Sequence, residues 1–162
     1  MAKLRHLKDR ESKQLIKEFI DRFPSSTTTL SSAKHLEEHV VEDGAVIFVD
    51  GRPWIVRSQG RLYPSLKNEP VLNTLPKIVV DMGAIPHITN GAQIMRPGIR
   101  QIEGRFSKDD LVSIIDEKYR KIIALGVAEM DSDMMRTQIK GRVISNIHYV
   151  GDPLWNSFVL SK

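Results

Sequence analysis

Residues 79–99 restrict the fold of this chain more than any other stretch, because turn-forming residues recur there at short intervals. Asn90 is followed by Gly91, and Pro97 by Gly98. Proline presets φ, and a glycine after it suits the positive φ of a type II turn. A bare backbone at Gly91 predicts a second tight turn. The stretch is therefore predicted to change direction at least twice.

The residues between these turns predict short regular elements. β-branched residues dominate residues 79–80 and 85–89, which favours a strand in each segment. One or two helical turns are predicted after Gly91, ahead of the turn at Pro97. His87 would then lie on an apolar strand, where a packed or half-buried histidine is more common than a catalytic base.

The composition excludes several kinds of site. The chain of 162 residues has no cysteine, which rules out disulfides and thiolate zinc sites, and its five histidines form no pair at metal-ligand spacing. We therefore expect neither a metal nor a cofactor. No nucleophile elbow, phosphate loop or dinucleotide-binding fingerprint occurs. Asp81 is interpreted as a turn former whose carboxylate accepts bonds from nearby amides. The sequence thus predicts no catalytic residue and no enzyme.

The charge and the N-terminus indicate the environment of the protein. The net charge of +4 permits an anionic partner without requiring one. The first ten residues are too polar for a signal peptide, and no apolar run is long enough to span a membrane. We expect a soluble, cytoplasmic protein and, without a coiled-coil seam, a monomer. The first ten residues also contain a basic set, Lys3, Arg5, His6, Lys8 and Arg10. These residues could form a basic arm that contacts RNA, or the charged face of a first strand or helix.

The N-terminal region begins with a helical pattern. Leu15, Phe19 and Phe23 recur at helical spacing, which predicts an amphipathic helix that ends at Pro24. Serine and threonine dominate residues 25–32, a composition that is typical of a loop. The helix is therefore predicted to pack on whatever follows the loop.

A small sheet is predicted after this loop. Two Asp-Gly pairs, at residues 43–44 and 50–51, separate runs rich in β-branched residues. Asp-Gly is a frequent hairpin turn, so these runs predict a three-stranded antiparallel meander. The arm that follows contains Pro64, which has no amide to donate to a neighbouring strand and favours the edge of a sheet.

The domain boundary is predicted within residues 67–76. Two prolines and two asparagines alternate there with apolar residues, which indicates a short packed connection and not a flexible linker. Residues 1–74 are then an N-terminal mixed α/β domain, residues 75–155 a second domain, and residues 156–162 a C-terminal tail.

The middle of the second domain allows two interpretations. Its apolar residues suit one face of a helix over residues 107–125. They also suit two strands, at residues 111–115 and 122–127, separated by polar residues, and the Ile and Val content favours strands. The pattern alone leaves both structures open.

The end of the second domain is less ambiguous. A short helix is predicted over residues 128–138, with Met130, Met134 and Met135 facing inwards. Aspartates at its start suit the positive end of a helix dipole. Residues 142–149 are predicted as a final strand.

Two sets of residues resemble known families. The first set is Val80-Asp81-x-Gly83-Ala84 followed by Gly91-Ala92-x-x-Met95-x-Pro97-Gly98-Ile99. It resembles the core signature of the PUA domain, the RNA-binding module of pseudouridine synthases and archaeosine transglycosylases. The second set is Asn146-Ile147-His148-Tyr149 with Asp152 and Leu154-Trp155, together with Gly60 and Leu62-Tyr63-Pro64-x-Leu66. It is similar to the malignant-T-cell-amplified-sequence family of translation factors.

This resemblance implies an α+β protein, in which a mixed α/β domain with a small antiparallel sheet precedes a PUA-like β pseudo-barrel. It favours the hairpin for residues 111–127, and Trp155 is expected to close the barrel. Eukaryotic members act with a partner that carries an initiation-factor-like domain. The resemblance therefore also implies a protein partner of this kind in trans.

A small-residue surface with a basic rim is the candidate site. Because Gly91 and Ala92 carry almost no side chain, a sugar-phosphate backbone could approach the main chain, and nearby free amides could donate to a phosphate. The predicted RNA-binding residues are Gly91, Ala92, Arg96, Pro97, Gly98, Arg100, Lys140 and Arg142, and Arg105 extends the rim.

The expected function is non-catalytic RNA binding in translation. Structured RNA is the expected partner, either tRNA near its acceptor end or ribosomal RNA of the small ribosomal subunit, during initiation, reinitiation or recycling. Two alternatives remain open. One is an accessory subunit that delivers RNA to a tRNA- or rRNA-modifying enzyme, and the other is a protein-interaction scaffold that has lost RNA binding.

Overall fold

The computed structural model describes residues 3–42 and 44–158. By its internal contacts the chain divides into two units. One unit contains the described residues up to Leu72 and from Pro153 onwards, and the other contains residues 73–152. Among the helices of the described ranges, none is both long enough and apolar enough to cross a membrane.

The first unit combines helices with one antiparallel sheet of five strands. In spatial order its strands are β1 (Lys3–His6), β2 (Leu36–Val41), β3 (Gly44–Val49), β4 (Arg52–Ser58) and β5 (Arg61–Pro64). Its first helices are α1 (Asp9–Arg22), α2 (Thr27–Ser31) and α3 (Glu69–Leu72). The predicted amphipathic helix is confirmed as α1, which buries Leu15 and Phe19.

Two sequence predictions for this unit need revision. The meander is larger than predicted, because β1 and β5 add one strand at each edge, with Pro64 ending the edge strand as expected. Residues 25–32 are helical and not a loop. They form a 3-10 turn (Pro24–Ser26) followed by α2, and the fully buried Leu30 anchors this segment despite its polar composition.

The second unit is a curled half-barrel of six strands, and the α+β class predicted for the chain is confirmed. Its strands are β6 (Lys77–Val80), β7 (Ile94–Met95), β8 (Ile99–Glu103), β9 (Leu111–Asp116), β10 (Ile122–Ala128) and β11 (Arg142–Tyr149). Their spatial order is β7-β11-β10-β9-β6-β8. Its helices are α4 (Ile85–Ile88) and α5 (Ser132–Thr137).

The chain then returns to the first unit with α6 (Pro153–Ser157), which contacts β2 and β3. The sequence-based boundary after residue 155 lies inside this helix, because the buried Leu154 packs on the first sheet. Trp155 therefore does not close the barrel. Its ring lies 4.6 Å from the Lys67 ammonium, within the first unit.

The hairpin interpretation of residues 111–127 is confirmed, since β9 and β10 pair antiparallel. The turn between them is organised by Asp116, which is 3% exposed. Its carboxylate accepts hydrogen bonds from the amides of Tyr119 and Lys121. Burial alone would raise the pKa of Asp116, but these amides and their neighbours hold the pKa below its ordinary value.

The strand predicted at residues 85–89 is wrong, because this segment forms α4. β6 is hydrogen-bonded on both sides, to β8 and to β9, so no edge of β6 remains for another strand. The segment satisfies its amides locally, with Ile88 donating to the Ala84 carbonyl at 3.0 Å. The helical turns predicted after Gly91 are also absent, and β7 lies there instead.

The helix predicted over residues 128–138 is confirmed in a shorter form, α5, with Asp131 capping the Met134 amide at 2.9 Å. Met135 is fully buried, but Met134 is 52% exposed and does not face inwards. Consecutive residues of a helix point in different directions, so a single turn cannot bury both.

We predict that Asp116→Asn destabilises the protein by about 1.5–3 kcal/mol at neutral pH, because either amide orientation places a donor against a backbone donor. The lowered pKa means that the wild-type carboxylate contributes fully above its ordinary value of 3.8 and loses this contribution as the pH falls further. The difference between wild type and variant should shrink below that pH. Urea unfolding over a pH series measures it. The exposed Asp109→Asn is the control, and an equal loss there would contradict the assignment.

Candidate nucleic-acid interface

A cavity of about 330 Å³ opens beside α4 in the second unit. Small residues from three loops, Ala84, Ala92 and Gly98, leave the space that larger side chains would fill. The walls are mostly apolar, and His87 and Gln93 supply polar groups. A concave apolar surface with a few polar groups is the usual form of a ligand site.

The cavity begins where β6 ends. The Asp81 carboxylate accepts a hydrogen bond from the Ala84 amide at 2.8 Å, so the predicted role of Asp81 as a turn former is confirmed. This turn leads into α4, which carries His87 on its exposed side. His87 is therefore neither packed nor half-buried as predicted, because it lies on a helical turn and not on a buried strand.

The backbone amides of Gly91 and Ala92 are not free to bind a phosphate, in contrast to the prediction. These amides donate to the carbonyls of Ile88 and His87 at 3.0 and 2.9 Å. Gly91 has a φ of +94°, and a Cβ there would lie 3.1 Å from the Tyr149 hydroxyl. A glycine is thus required by backbone conformation and by the covering tyrosine.

Pro97 and Gly98 also differ from the prediction. They belong to a 3-10 turn (Arg96–Gly98), and Gly98 does not adopt the positive φ of a type II turn. A Cβ on Gly98 would lie 3.2 Å from that of Ala84. The close approach of these two loops at the cavity explains the small residue.

Arg96 stabilises the loops next to the cavity through hydrogen bonds to backbone carbonyls. Its Nε donates to the Met135 carbonyl at 2.9 Å, and its guanidinium donates to the Ile99 carbonyl at 3.2 Å. The Arg96 amide also donates to the Gly141 carbonyl. This side chain therefore ties α5 to the turn before β8, and the structure gives it a positioning role within the protein.

The other predicted basic residues lie on the surface. Arg100 is 62% exposed and approaches the carboxylates of Asp81 and Glu117 only at 3.8 Å. Arg142 lies opposite Met95 across the strand pair and forms an ion pair with Glu129 at 2.8 Å. Lys140 is exposed beside it, on the loop that leads into β11. Arg100 is therefore near Asp81, which follows β6, and Arg142 is across the strand pair from Met95, a residue that lines the cavity.

Within residues 3–42 and 44–158, neither Lys140 nor Arg105 forms an ion pair. Arg120, in contrast, is paired with a carboxylate. Arg120 makes two hydrogen bonds to the Glu103 carboxylate, at 2.8 and 3.1 Å, and holds the pKa of Glu103 below its usual range. Arg120 is therefore committed to an internal partner.

Within residues 3–42 and 44–158, no group of three or more His, Asp or Glu side chains could hold a metal ion.

Asn146 holds the pocket loop and was missed as a site residue. Its side-chain amide donates to the carbonyls of Ile88 and Ala92, both at 3.0 Å, and its backbone amide donates to Gln93 Oε1 at 2.7 Å. One residue of β11 thereby fixes three positions around the cavity. Asn146 is the first residue of the segment Asn146-Ile147-His148-Tyr149 that resembles the translation-factor family, and this resemblance could have identified it.

We predict that Arg96→Ala lowers the free energy of unfolding by about 1–3 kcal/mol, since it removes charged hydrogen bonds to two carbonyls. Arg105→Ala, at an exposed position without an ion pair, should change stability by less than about 0.5 kcal/mol. Chemical denaturation compares the two variants. If both variants were as stable as the wild type, Arg96 would not brace the pocket.

Comparison with known proteins places the chain in a family. Residues 76–150 match the family model of the PUA domain. An uncharacterized protein of Methanocaldococcus jannaschii is 33% identical over 93% of this chain and 93% of its own length. Malignant T-cell-amplified sequence 1-A of Xenopus laevis is 30% identical over 93% of this chain and 88% of its own length.

Two further matches extend this result. Translation machinery-associated protein 20 of Saccharomyces cerevisiae is 33% identical over 67% of this chain and 64% of its own length. The crystal structure of a PUA domain from Aeropyrum pernix, a tartrate complex, superposes with a TM-score of 0.79 at 27% identity, covering 100% of this chain and 94% of that chain. This chain therefore belongs to the PUA-domain family that includes the malignant T-cell-amplified sequence proteins.

Proposed function

We propose that this protein binds structured RNA in the translation apparatus, through the cavity beside α4 and the basic side chains around it. The observation that carries the proposal is the cavity itself, with its small-residue walls, together with Arg142, which lies opposite the cavity residue Met95 across a strand pair. Arg100, which approaches Asp81 after β6, and the exposed Lys140, two residues before Arg142, supply further positive charge. The PUA domain is an RNA-binding fold, and one relative is named for the translation machinery.

The chemistry of the cavity suits an unpaired nucleotide. Apolar walls can contact the face of a base or a sugar, and His87 and Gln93 offer hydrogen-bonding groups to a base edge. The surrounding cations can contact the phosphates on either side. An RNA with an unpaired nucleotide next to a helical stem would place both kinds of group at this surface.

The three basic side chains are available to different degrees. Lys140 forms no ion pair within the described part of the chain, and Arg100 is held only loosely by two carboxylates at 3.8 Å. Arg142 is held by Glu129 at 2.8 Å, so a phosphate must compete with that carboxylate. We therefore expect Lys140 and Arg100 to contribute more to RNA affinity than Arg142.

The RNA is either tRNA near its acceptor end or ribosomal RNA of the small subunit, bound during initiation, reinitiation or recycling. The role is binding without catalysis, and a protein partner with an initiation-factor-like domain acts in trans. This assignment follows the translation-associated relative and the RNA-binding fold. It makes the small ribosomal subunit the first particle to test.

We predict that Lys140→Ala/Arg100→Ala weakens binding to isolated small ribosomal subunits and to tRNA about tenfold or more. The slope of log affinity against log salt concentration should decrease by about one for each phosphate that the variant no longer neutralises. Filter binding and gradient sedimentation over a salt series measure both quantities. Arg96 is left unchanged because its loss would disturb the pocket.

Lys17→Ala/Lys108→Ala is the matched control, since it removes the same charge from exposed positions that do not line the cavity. The proposal requires the control to bind like the wild type. Equal losses in both variants would indicate nonspecific attraction and contradict the assigned surface. Binding to tRNA without co-sedimentation would replace the ribosomal role by one on free tRNA.

A further inference from the structure

A second cavity, of about 350 Å³, lies in the first unit, where β1 ends and both α1 and β2 begin. Four of the residues that line it are apolar, and we call them the floor: Leu7, Ile16, Ala33 and Leu36. Four are basic, and we call them the rim: His6, Lys13, Lys34 and His35. With Asp9 and Ser12, which complete the lining, these residues form what we call the β1–α1 cleft. It belongs to a different unit from the cavity beside α4.

The backbone around this cleft is firmly held. The Leu7 amide donates to the Leu36 carbonyl at 3.1 Å, which joins the end of β1 to the start of β2. The Asp50 carboxylate accepts the amides of Lys34 and His35 at 3.0 and 2.8 Å. These amides hold the pKa of Asp50 below its usual range. The rim residues before β2 are thus fixed in position.

The rim has an excess of positive charge. All four basic side chains are exposed, and within the described ranges none of them forms an ion pair. Asp9 is the one carboxylate that lines the cavity. Two ammonium groups and two imidazoles can all donate hydrogen bonds to an oxyanion. The rim therefore favours an anionic group over a neutral one.

The size of the cleft and its apolar residues limit the kinds of ligand that it can bind. Its volume falls in the range of about 300–1,000 Å³ that is usual for small-molecule sites and exceeds what one phosphate needs. The apolar floor can contact a base or a sugar while the rim holds the phosphate. We propose that the β1–α1 cleft binds a 5′-phosphorylated nucleotide, either a free nucleoside monophosphate or the phosphorylated end of an RNA.

The histidines of the full-length protein provide the test. The chain has five, of which His6 and His35 line this cleft, His87 lines the cavity beside α4, and His39 and His148 are buried. NMR spectra of the imidazole C–H groups at constant pH can follow them in one sample. Adenosine monophosphate should shift the signals of His6 and His35, and adenosine should not. Inorganic phosphate should bind about tenfold more weakly than the nucleotide.

Lys13→Gln/Lys34→Gln should weaken nucleotide binding about tenfold or more. Lys108→Gln/Lys118→Gln, with the same change in net charge at exposed positions of the other unit, should leave it unchanged. The proposal is overturned if neither the free nucleotide nor a 5′-phosphorylated RNA moves the His6 and His35 signals. It is also overturned if phosphate or adenosine binds as tightly as the phosphorylated ligand, or if both pairs of substitutions weaken binding equally.

Oligoribonucleotides with a 5′-phosphate or a 5′-hydroxyl distinguish the two sources. Selective shifts of His6 and His35 by the phosphorylated RNA would assign the cleft to an RNA end, and shifts by the free nucleotide alone would assign it to a small molecule. Either result supports a phosphorylated nucleotide as the ligand. RNA binding through the cavity beside α4 is reported separately by His87, so the two proposals can fail independently.

Discussion

The parallel pairing of β6 with β9 is the constraint on which the second unit depends. It places Val80 opposite Asp116, and the Glu117 amide then donates to the Val80 carbonyl at 3.0 Å. The Glu117 carboxylate accepts the Met82 amide at the same distance. On the other side of β6 the pairing with β8 also stops here, at Val80 and Ile99, and the chain leaves the sheet. The helical turn and the cavity beside it follow from that exit.

The candidate interface separates residues that hold the pocket from residues that face solvent. Arg96 and Asn146 use their side-chain donors on backbone carbonyls, so they fix the loops around the cavity. Among the residues that the structure describes, Arg100 and Lys140 have no comparable partners, and both are exposed. Arg96 and Arg100 are four residues apart but have different roles. The Arg96 guanidinium donates to backbone carbonyls, whereas Arg100 only approaches two carboxylates at 3.8 Å.

Net charge says little about either proposed site, because several arginines of the chain are paired locally. Arg120 is bound to Glu103 and Arg142 to Glu129. In the first unit, Arg5 and Arg57 both contact the buried Glu38. The cations left for a ligand include Lys140 and Arg100 in the second unit and Lys13 and Lys34 in the first. An overall charge of +4 therefore conceals a strongly uneven distribution.

The sequence by itself determined the first helix, the hairpin turn at residues 50–51 and the last strand, because these depend on local periodicity and turn chemistry. The class of the fold was implied by the resemblance to the family. Resemblance to the PUA signature was needed to choose the hairpin at residues 111–127, where period and composition disagreed. Tertiary structure alone decided that residues 85–89 are helical, since strand propensity depends on packing against neighbouring strands of a sheet and this segment has none in the described part of the chain. It also decided which arginine braces and which is exposed, because that depends on carbonyls and carboxylates that are distant in sequence.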